Sequence, residues 1–341
     1  MQPYTTDVAA RRAGVKSVAE RAGVSVGTVS NVLNRPETVA EETRARVEAA
    51  MAELNFVRNA SARQLRAGQS TVVGAIVLDL RNPFYTALAR GIEDRLLADG
   101  LMLMVASSDE DPERERRWLR LFAEQGVRGL LVTPSKETTE HLERVAGLGI
   151  PAVLLDSHSP RFTSVGADSV SGARQAVRHL IELGHRRIAH LSGPAQLEQA
   201  RERLLGAREA VAEAGLDPDR VLVVRHLPTM SADDGQQGFI EVMATEQDAP
   251  TAFFCINDIV ALGVMRELRL RRMEIPRDMA VVGYDDVTFA AELMTPLTSV
   301  RQPMHQIGWT AADLLLTGAG NDRHEVFRPE LVIRESSRGA S

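Results

Sequence analysis

AERAGVSVGTVSNVLN runs from Ala19 to Asn34. Val18, Ala19 and Ala22 fall at i, i+1 and i+4, which is one face of a short helix. Gly23 can end that helix because it takes positive φ without a Cβ clash. Val24 is placed to tuck under the turn, and Ser25 suits an N-cap. Val29, Val32 and Leu33 then form the inward face of a second helix. Two short helices joined by a three- or four-residue turn containing glycine make a helix-turn-helix. In that unit the second helix projects away from the first and can enter a DNA major groove. A generic helical bundle is the alternative reading of the same pattern.

The following residues bear on that choice. EETRARVEAAMAELN places Val47, Met51 and Leu54 at four- and three-residue steps, so a third helix closes a small core. NASARQLRAG, from Asn59 to Gly68, is a short polar and basic linker with the single leucine Leu65. Such a leucine either covers the edge of a neighbouring domain or acts as a wedge for a minor groove. Residues 1–70 hold ten Lys and Arg against seven Asp and Glu, a net of +3, so the chain's −6 leaves −9 for residues 71–341. A basic head on an acidic body means that only the head is suited to a polyanion. Asp7–Val15, DVAARRAGV, nearly repeats Ser17–Val24, and we read residues 1–13 as a disordered basic arm.

The chain has 341 residues, which implies two or three domains. It has no apolar run of the ~18 residues that a membrane span needs. Residues 1–20 carry Asp7, Arg11, Arg12, Lys16 and Glu20 with no apolar stretch between them, so no signal peptide is expected. Cys255 is the single cysteine, which rules out an intramolecular disulfide and a multi-cysteine zinc site and makes a cytoplasmic location the expectation. It ends an apolar strand and is read as inert core.

From Thr71 the chain alternates short apolar runs with helical patterns. TVVGAIVLDL, LMLMVASS, GLLVTPS, IPAVLLDS and SVGADS read as strands, with helices over 84–99, 112–125 and 136–147 between the earlier ones. RIAHLSG, VLVVRH, TAFFCIND and MAVVGYDD resume the series. Repeated βα units mean parallel sheets covered by helices on both faces, and two such sheets imply two lobes. Ligands of these sheets bind at the carboxyl ends of strands. Asp79, Asn82, Ser107, Asp109, Thr133, Ser135, Asp156, Asn257, Asp258, Asp285 and Asp286 gather at those ends. Each alone can be a structural cap; the convergent set points to a small polar ligand.

Three stretches, VAERAGVSVGTVSNVLN, RARVEAAMAELNFVRNASARQLRAG and VVGAIVLDLRNPFY, together resemble the lactose-repressor (LacI/GalR) family of bacterial transcription regulators. ELGHRRIAHLSGP, PTAFFCINDIVALGVMREL and VVGYDDVTFAAELMTPLTSVRQP extend the resemblance over about residues 14–335. It implies an α/β protein: an N-terminal three-helix helix-turn-helix domain at 14–58, a hinge helix at 59–70, and a two-lobed periplasmic-binding-protein-like core of parallel sheets at 71–335. Lobe 1 would comprise about 71–168 plus 300–329, and lobe 2 about 169–299 plus 330–335.

The resemblance also assigns residues. Val26, Gly27 and Asn31 occupy the base-reading positions, where Val26 can touch a thymine methyl and Asn31 can pair with adenine. Val26 and Gly27 offer no side-chain hydrogen bond, so much of the specificity falls to Asn31, the hinge and DNA shape. Ser25 opens that helix, Thr28, Ser30 and Asn34 are placed as phosphate contacts, and Asn59 begins the hinge. Leu65, with Arg66 beside it, would wedge into the central minor-groove step. Effector contacts fall on Phe84, Asp156, Arg203, Asn257, Asp258, Asp285 and Gln302, and an arginine fork with carboxylate acceptors suits a sugar or sugar derivative. Leu197 stands where some relatives carry a polar contact. FYTALARGIEDRLLADG resembles the family's dimer helix; its stripe of Tyr85, Leu88, Ile92 and Leu96 can instead be buried against the lobe's own sheet.

The expected function is a repressor acting as a homodimer on an inverted-repeat operator in double-stranded DNA, controlled by a small effector bound between the lobes. A corepressor-dependent or activating regulator of the same family is the alternative, and a sugar-binding transport protein a more distant one. No enzyme is expected: the chain has no G-x-G-x-x-G after a strand, no G-K-[ST] loop, no G-x-S-x-G and no H-E-x-x-H. Its eight histidines lack metal-ligand spacing, so no metal and no cofactor are expected, His158 beside Asp156 included.

Overall fold

The computed structural model describes residues 13–56, 70–135, 138–157, 159, 161–318 and 323–338. The arm before residue 13, the hinge positions Asn59, Leu65 and Arg66, and His158 lie outside these. The chain divides into two units, Met1–Gln69 and Ser70–Ser341.

The first unit holds α1 (Val15–Ala22), α2 (Val26–Asn34) and α3 (Glu41–Glu53). Gly23 ends α1 at φ 64°, and the Val24 amide donates to the Ala19 carbonyl at 3.0 Å. The αL turn satisfies carbonyls that the helix end would leave bare. Ser25 then caps α2, its hydroxyl accepting from the Thr28 amide at 3.0 Å. Val18, Ala19, Val29, Val32, Val47 and Ala50 are buried together at the centre of the three helices. Leu33, Met51 and Leu54, expected inside, are half-buried at the margin of this core. Arg21 of α1 pairs with Glu53 of α3 on the surface.

The second unit contains two six-stranded sheets. Sheet A has the order β11-β5-β4-β3-β1-β2 and is parallel throughout. Its strands are β1 (Val72–Val77), β2 (Met102–Ser107), β3 (Leu130–Val132), β4 (Ala152–Leu155), β5 (Ser164–Ala167) and β11 (His324–Phe327). Sheet B has the order β12-β10-β9-β8-β6-β7, parallel except that β12 runs against β10. It comprises β6 (Ile188–Ser192), β7 (Leu222–His226), β8 (Ala252–Cys255), β9 (Ala280–Asp285), β10 (Thr298–Arg301) and β12 (Glu330–Val332). The chain passes between the sheets after β5, β10 and β11. The second passage follows Arg301 rather than Ser299, because β10 stays paired with β9 through Arg301 and Asp285.

Both sheets are covered on both faces. In lobe 1, α4 (Pro83–Leu97) and α12 (Met304–Thr317) cover one face, and α5 (Pro112–Glu124) and α6 (Thr138–Ala146) the other. In lobe 2, α10 (Ala232–Thr245) and α11 (Asp258–Leu270) cover one face, and α7 (Ser169–Glu182) and α8 (Glu198–Glu213) the other; the short α9 (Pro218–Val221) leads into β7. The α4–α12 contact is close enough to need glycine: a Cβ on Gly308 would lie 2.0 Å from the Leu88 carbonyl oxygen. Tyr85, Leu88, Ile92 and Leu96 are all buried in this chain's own lobe 1 core. The stripe is therefore an internal packing face and cannot also cover a second subunit.

Candidate ligand cleft and nucleic-acid interface

Helix α2 turns Val29 and Val32 inward, which leaves Val26, Gly27, Asn31 and Asn34 exposed with Ser25. Thr28 and Ser30 are half-buried. The Ser25 hydroxyl is shared between the Thr28 amide and, at 2.9 Å, the Thr28 hydroxyl. The Asn34 side chain folds back to donate to the Ser30 carbonyl at 2.8 Å. Ser25 and Asn34 thus have local structural work as well as surface exposure. A Cβ on Gly27 would meet only Ser25 Oγ, at 3.5 Å. No packing in the unit requires glycine there, although glycine costs helix stability relative to alanine.

In the second unit the strand orders create two switch points. The chain leaves β1 for β2 and returns to the other side as β3; it leaves β6 for β7 and returns as β8. Adjacent connections then run in opposite directions at the strand ends, opening a crevice where ligands bind. Asn82 follows β1, and Ile256 and Asn257 follow β8. Five of the residues with positive φ that are not glycine also sit at strand ends: Asp109, Glu110, Asp156, Asp285 and Asp286. Asp tolerates the left-handed region better than most residues, but at φ 102° Asp285 lies outside it. Backbone strain of this kind concentrates at functional sites.

The side chains from these ends meet between the lobes. Arg203, from α8, is 3% exposed. Its Nη1 donates to the Ile256 carbonyl at 2.5 Å, its Nη2 lies 3.7 Å from Asp285 Oδ1, and its guanidinium lies 3.6 Å from the centre of the Tyr284 ring. Asp285 Oδ1 also accepts from Gln302 Nε2 at 2.8 Å, and its Oδ2 from Asn82 Nδ2 of lobe 1 at 3.2 Å. Asp156 of lobe 1 accepts from Gln199 Nε2 of lobe 2 at 3.0 Å. Ser157 donates to Glu198 at 2.5 Å, and Glu110 accepts from the Met230 amide at 3.4 Å. Among the described residues, these hydrogen bonds join the lobes across the crevice.

Burial sets the ionisation of these groups. It raises the Asp156 carboxyl to about 7, against the attraction of Arg203 and the Gln199 hydrogen bond. It raises Glu110 to about 7 and Asp285 in the same direction. It pushes His190 down to about 4, so the ring is neutral near pH 7. His190 stacks on Phe254 with ring centroids 4.7 Å apart, and its Nδ1 donates to the Phe254 carbonyl at 3.0 Å. Its Nε2 is therefore a bare acceptor, buried without a partner. Arg203 Nε, Gln199 Oε1 and Gln302 Oε1 are likewise buried and unsatisfied. Unpaired polar atoms this deep are costly unless water or a ligand completes them.

The expected set is only partly brought together. Asp156, Arg203, Asp285 and Gln302 converge. Phe84 is buried at the start of α4, edge-on to Tyr85 with centroids 5.0 Å apart. Asn257 caps α11 through its Oδ1, which accepts from the Val260 amide at 2.8 Å, and reaches the Met230 carbonyl at 3.5 Å. Asp258 is bonded within lobe 2. Its Oδ1 accepts from the Ser299 hydroxyl at 2.6 Å and its Oδ2 from the Val287 amide at 2.9 Å, so it anchors β9 and β10 from inside lobe 2. Gln199, Tyr284, Tyr85 and Glu110 are site residues that the sequence reading missed. Tyr85 feels the charges of Asp156, Asp285, Glu110 and Arg203, and burial holds its hydroxyl protonated. Leu197 is buried. Among the described residues no group of three His, Cys, Asp or Glu could hold a metal, and no helix is long and apolar enough to cross a membrane.

Known proteins resemble this chain over most of its length. Residues 14–59 match the model for bacterial regulatory proteins of the lacI family, and residues 177–337 match the periplasmic binding protein-like domain. The HTH-type transcriptional repressor PurR of Photobacterium profundum is 34% identical over 332 residues, which cover 95% of this chain and 98% of that protein. The ribose operon repressor of Bacillus subtilis is 37% identical over 304 residues, covering 89% and 91%. A solved structure of the Lac repressor dimer bound to operator and the anti-inducer ONPF matches with a TM-score of 0.80 and 31% identity, over 96% of this chain and 99% of that one.

Proposed function

The chain belongs to the lacI family of bacterial regulatory proteins, as a DNA-binding regulator under effector control, and from that premise we propose that it is a cytoplasmic homodimeric repressor released from its operator by a neutral sugar. One observation carries the effector reading. A 3% exposed arginine with an unsatisfied Nε lies 3.7 Å from the buried Asp285 of lobe 2 and feels the charge of the buried Asp156 of lobe 1. Asp285 and Asp156 already stand against the one guanidinium of Arg203. A further anion is disfavoured there, and hydroxyl groups suit both partners. The name of the ribose operon repressor supports the same ligand class.

In this reading Arg203, Asp156, Asp285, Gln302 and Gln199 hold the sugar, with Phe84 and Tyr85 on the wall and Asn257 at the lobe junction. On the DNA side Val26 and Asn31 read bases, Thr28, Ser30 and Asn34 set the register on phosphates, and Gly27 lets the α2 backbone approach the groove closely. Ser25 fixes the start of that helix. Leu65 and Arg66 enter the central minor-groove step of an inverted repeat, and Asn59 opens the hinge that carries them. Dimerisation is assigned to the β2 edge of sheet A rather than to the buried α4 stripe. Met102 and Met104 on that edge strand and Leu97 at the end of α4 are 61%, 45% and 60% exposed. The Lac repressor neighbour was solved as a dimer on operator.

The test is thermal stabilisation of the full chain by a panel of sugars, sugar acids, sugar phosphates and purines, followed by an operator-release assay with each hit. A ligand at ~100 times its dissociation constant adds about 2.7 kcal/mol, an easily read shift. A neutral sugar that both stabilises and releases operator is the expected result. Stabilisation by purines or sugar phosphates alone would overturn the effector class and leave the regulator.

A further inference from the structure

The outer surface of lobe 1 carries a feature that neither operator reading nor effector binding uses. Between α5 and α6 runs a trough of about 680 Å³. Its α5 wall is built from positions 113, 116, 117, 120 and 123, and its other wall from 141, 144 and 145 of α6 and from 148 just past the end of that helix. Both sets recur at three- and four-residue steps, so the trough follows two helices side by side for about 11–15 Å, two to three helical turns. The floor is apolar: Leu148, 71% exposed, and the half-buried Ala123 offer surface, with the buried Leu119 and Val145 beneath them.

The rim has the opposite charge to the rest of the body. Arg114, Arg116, Arg117, Arg120 and Arg144 line the trough against the one carboxylate of Glu113, on a body whose residues 71–341 sum to −9. Arg114, Arg116 and Arg120 have exposed partners in Asp109, Glu113 and Glu124. Pairs of that kind contribute about 0–1 kcal/mol and exchange readily. Arg117 and Arg144 have no ion pair among the described residues. His141 Nδ1, at the same place, is buried without a partner.

We propose that this trough is a docking site for an acidic amphipathic helix of a partner protein. The partner's apolar stripe would lie on Leu148 and Ala123. Its Asp and Glu would reach Arg117 and Arg120 on one wall and Arg144 on the other, over arginine stems that extend the apolar surface. A nucleic acid would match the charge but would have no use for the exposed Leu148 between the arginines, so the helix is the better fit.

The test uses the full chain and a fluorescent, hydrocarbon-stapled peptide of about 15 residues, leucine at i, i+3, i+4 and i+7 and glutamate elsewhere; unstapled helices of that length are marginal in water. Fluorescence anisotropy should show saturable binding. Arg117→Glu with Arg144→Glu, and separately Leu148→Asp, should each weaken it at least about tenfold, with operator binding and the thermal midpoint unchanged. A scrambled peptide of the same composition should bind at least about tenfold more weakly. The proposal is overturned by absence of saturable binding, by equal binding of the scrambled peptide, or by charge reversal that leaves the peptide bound. It is overturned equally if the reversal abolishes only binding to non-operator duplex, which would make the trough a polyanion surface.

Discussion

Asp156→Asn makes the cost of building the cleft measurable. The aspartate is 6% exposed, and burial lifts its carboxyl from an ordinary 3.8 to about 7. Between those values the folded chain holds a proton that the unfolded chain has lost. Wild-type stability therefore falls as pH rises from about 4 to about 7 and then levels. Three pKa units at about 1.36 kcal/mol each set a ceiling of about 4 kcal/mol. Asparagine has nearly the same shape, cannot ionise, and can still accept from Gln199. The variant should match the wild type near pH 3.5, exceed it by about 1.5 kcal/mol at pH 5, and exceed it by about 4 kcal/mol at pH 8. Urea unfolding of the full chain at several pH values reads the difference directly. An advantage that stayed flat with pH, or ran the other way, would refute the assignment of a buried, neutral-leaning carboxyl. The same variant should bind the effector less well, since stability gained at a ligand site is commonly function lost.

Three further outcomes are expected. Arg203→Met should keep operator binding but need about 10–100-fold more effector for release, since charge-assisted hydrogen bonds contribute about 1.5–3 kcal/mol; a normal release curve would remove Arg203 from the site. Gly27→Ala should raise the thermal stability of the first unit by up to about 1 kcal/mol while weakening operator binding, and a variant equal to wild type on operator would end the close-approach reading. Gly308→Ala should destabilise the second unit by about 1–3 kcal/mol in urea unfolding, because the new methyl group meets the Leu88 carbonyl oxygen and α12 must move off α4.

The local chemistry of the chain made the head and the layered body readable. Gly23 and Ser25 stop and restart a helix by backbone rules that need no tertiary context, and most of the apolar runs of the body are covered strands. The cleft was legible where the family resemblance pointed to single residues, as at Arg203, Asp156, Asp285 and Gln302. Gln199, Tyr284 and Glu110 carried no such signal. A glutamine in a helix, a tyrosine in an apolar strand and a glutamate in a turn become a site only when two sheets converge. Asp258 follows Asn257 at the start of α11, and its carboxylate turns inward to Ser299 and Val287, which its place in the sequence did not signal. The stripe on α4 was ambiguous for a physical reason: a helix buried by its own sheet and one buried by a partner have the same periodicity.

The interleaved sheets have a consequence for the order of synthesis. Strand β5 ends at Ala167, but β11, the neighbour that closes its open edge, begins 157 positions later at His324. At about 5–20 residues per second a ribosome needs about 8–30 s to deliver it. All that time lobe 1 exposes an unpaired strand edge beside apolar surface awaiting α12, which is a template for wrong pairing. Lobe 2, whose β6 to β10 emerge in one continuous run, can assemble in the interval. The first unit, made before either lobe, waits longest for a body that can switch it. A truncated or stalled chain would thus present a finished DNA-binding head with no effector control, so prompt completion or destruction of nascent chains matters more for this architecture than for one built in sequence.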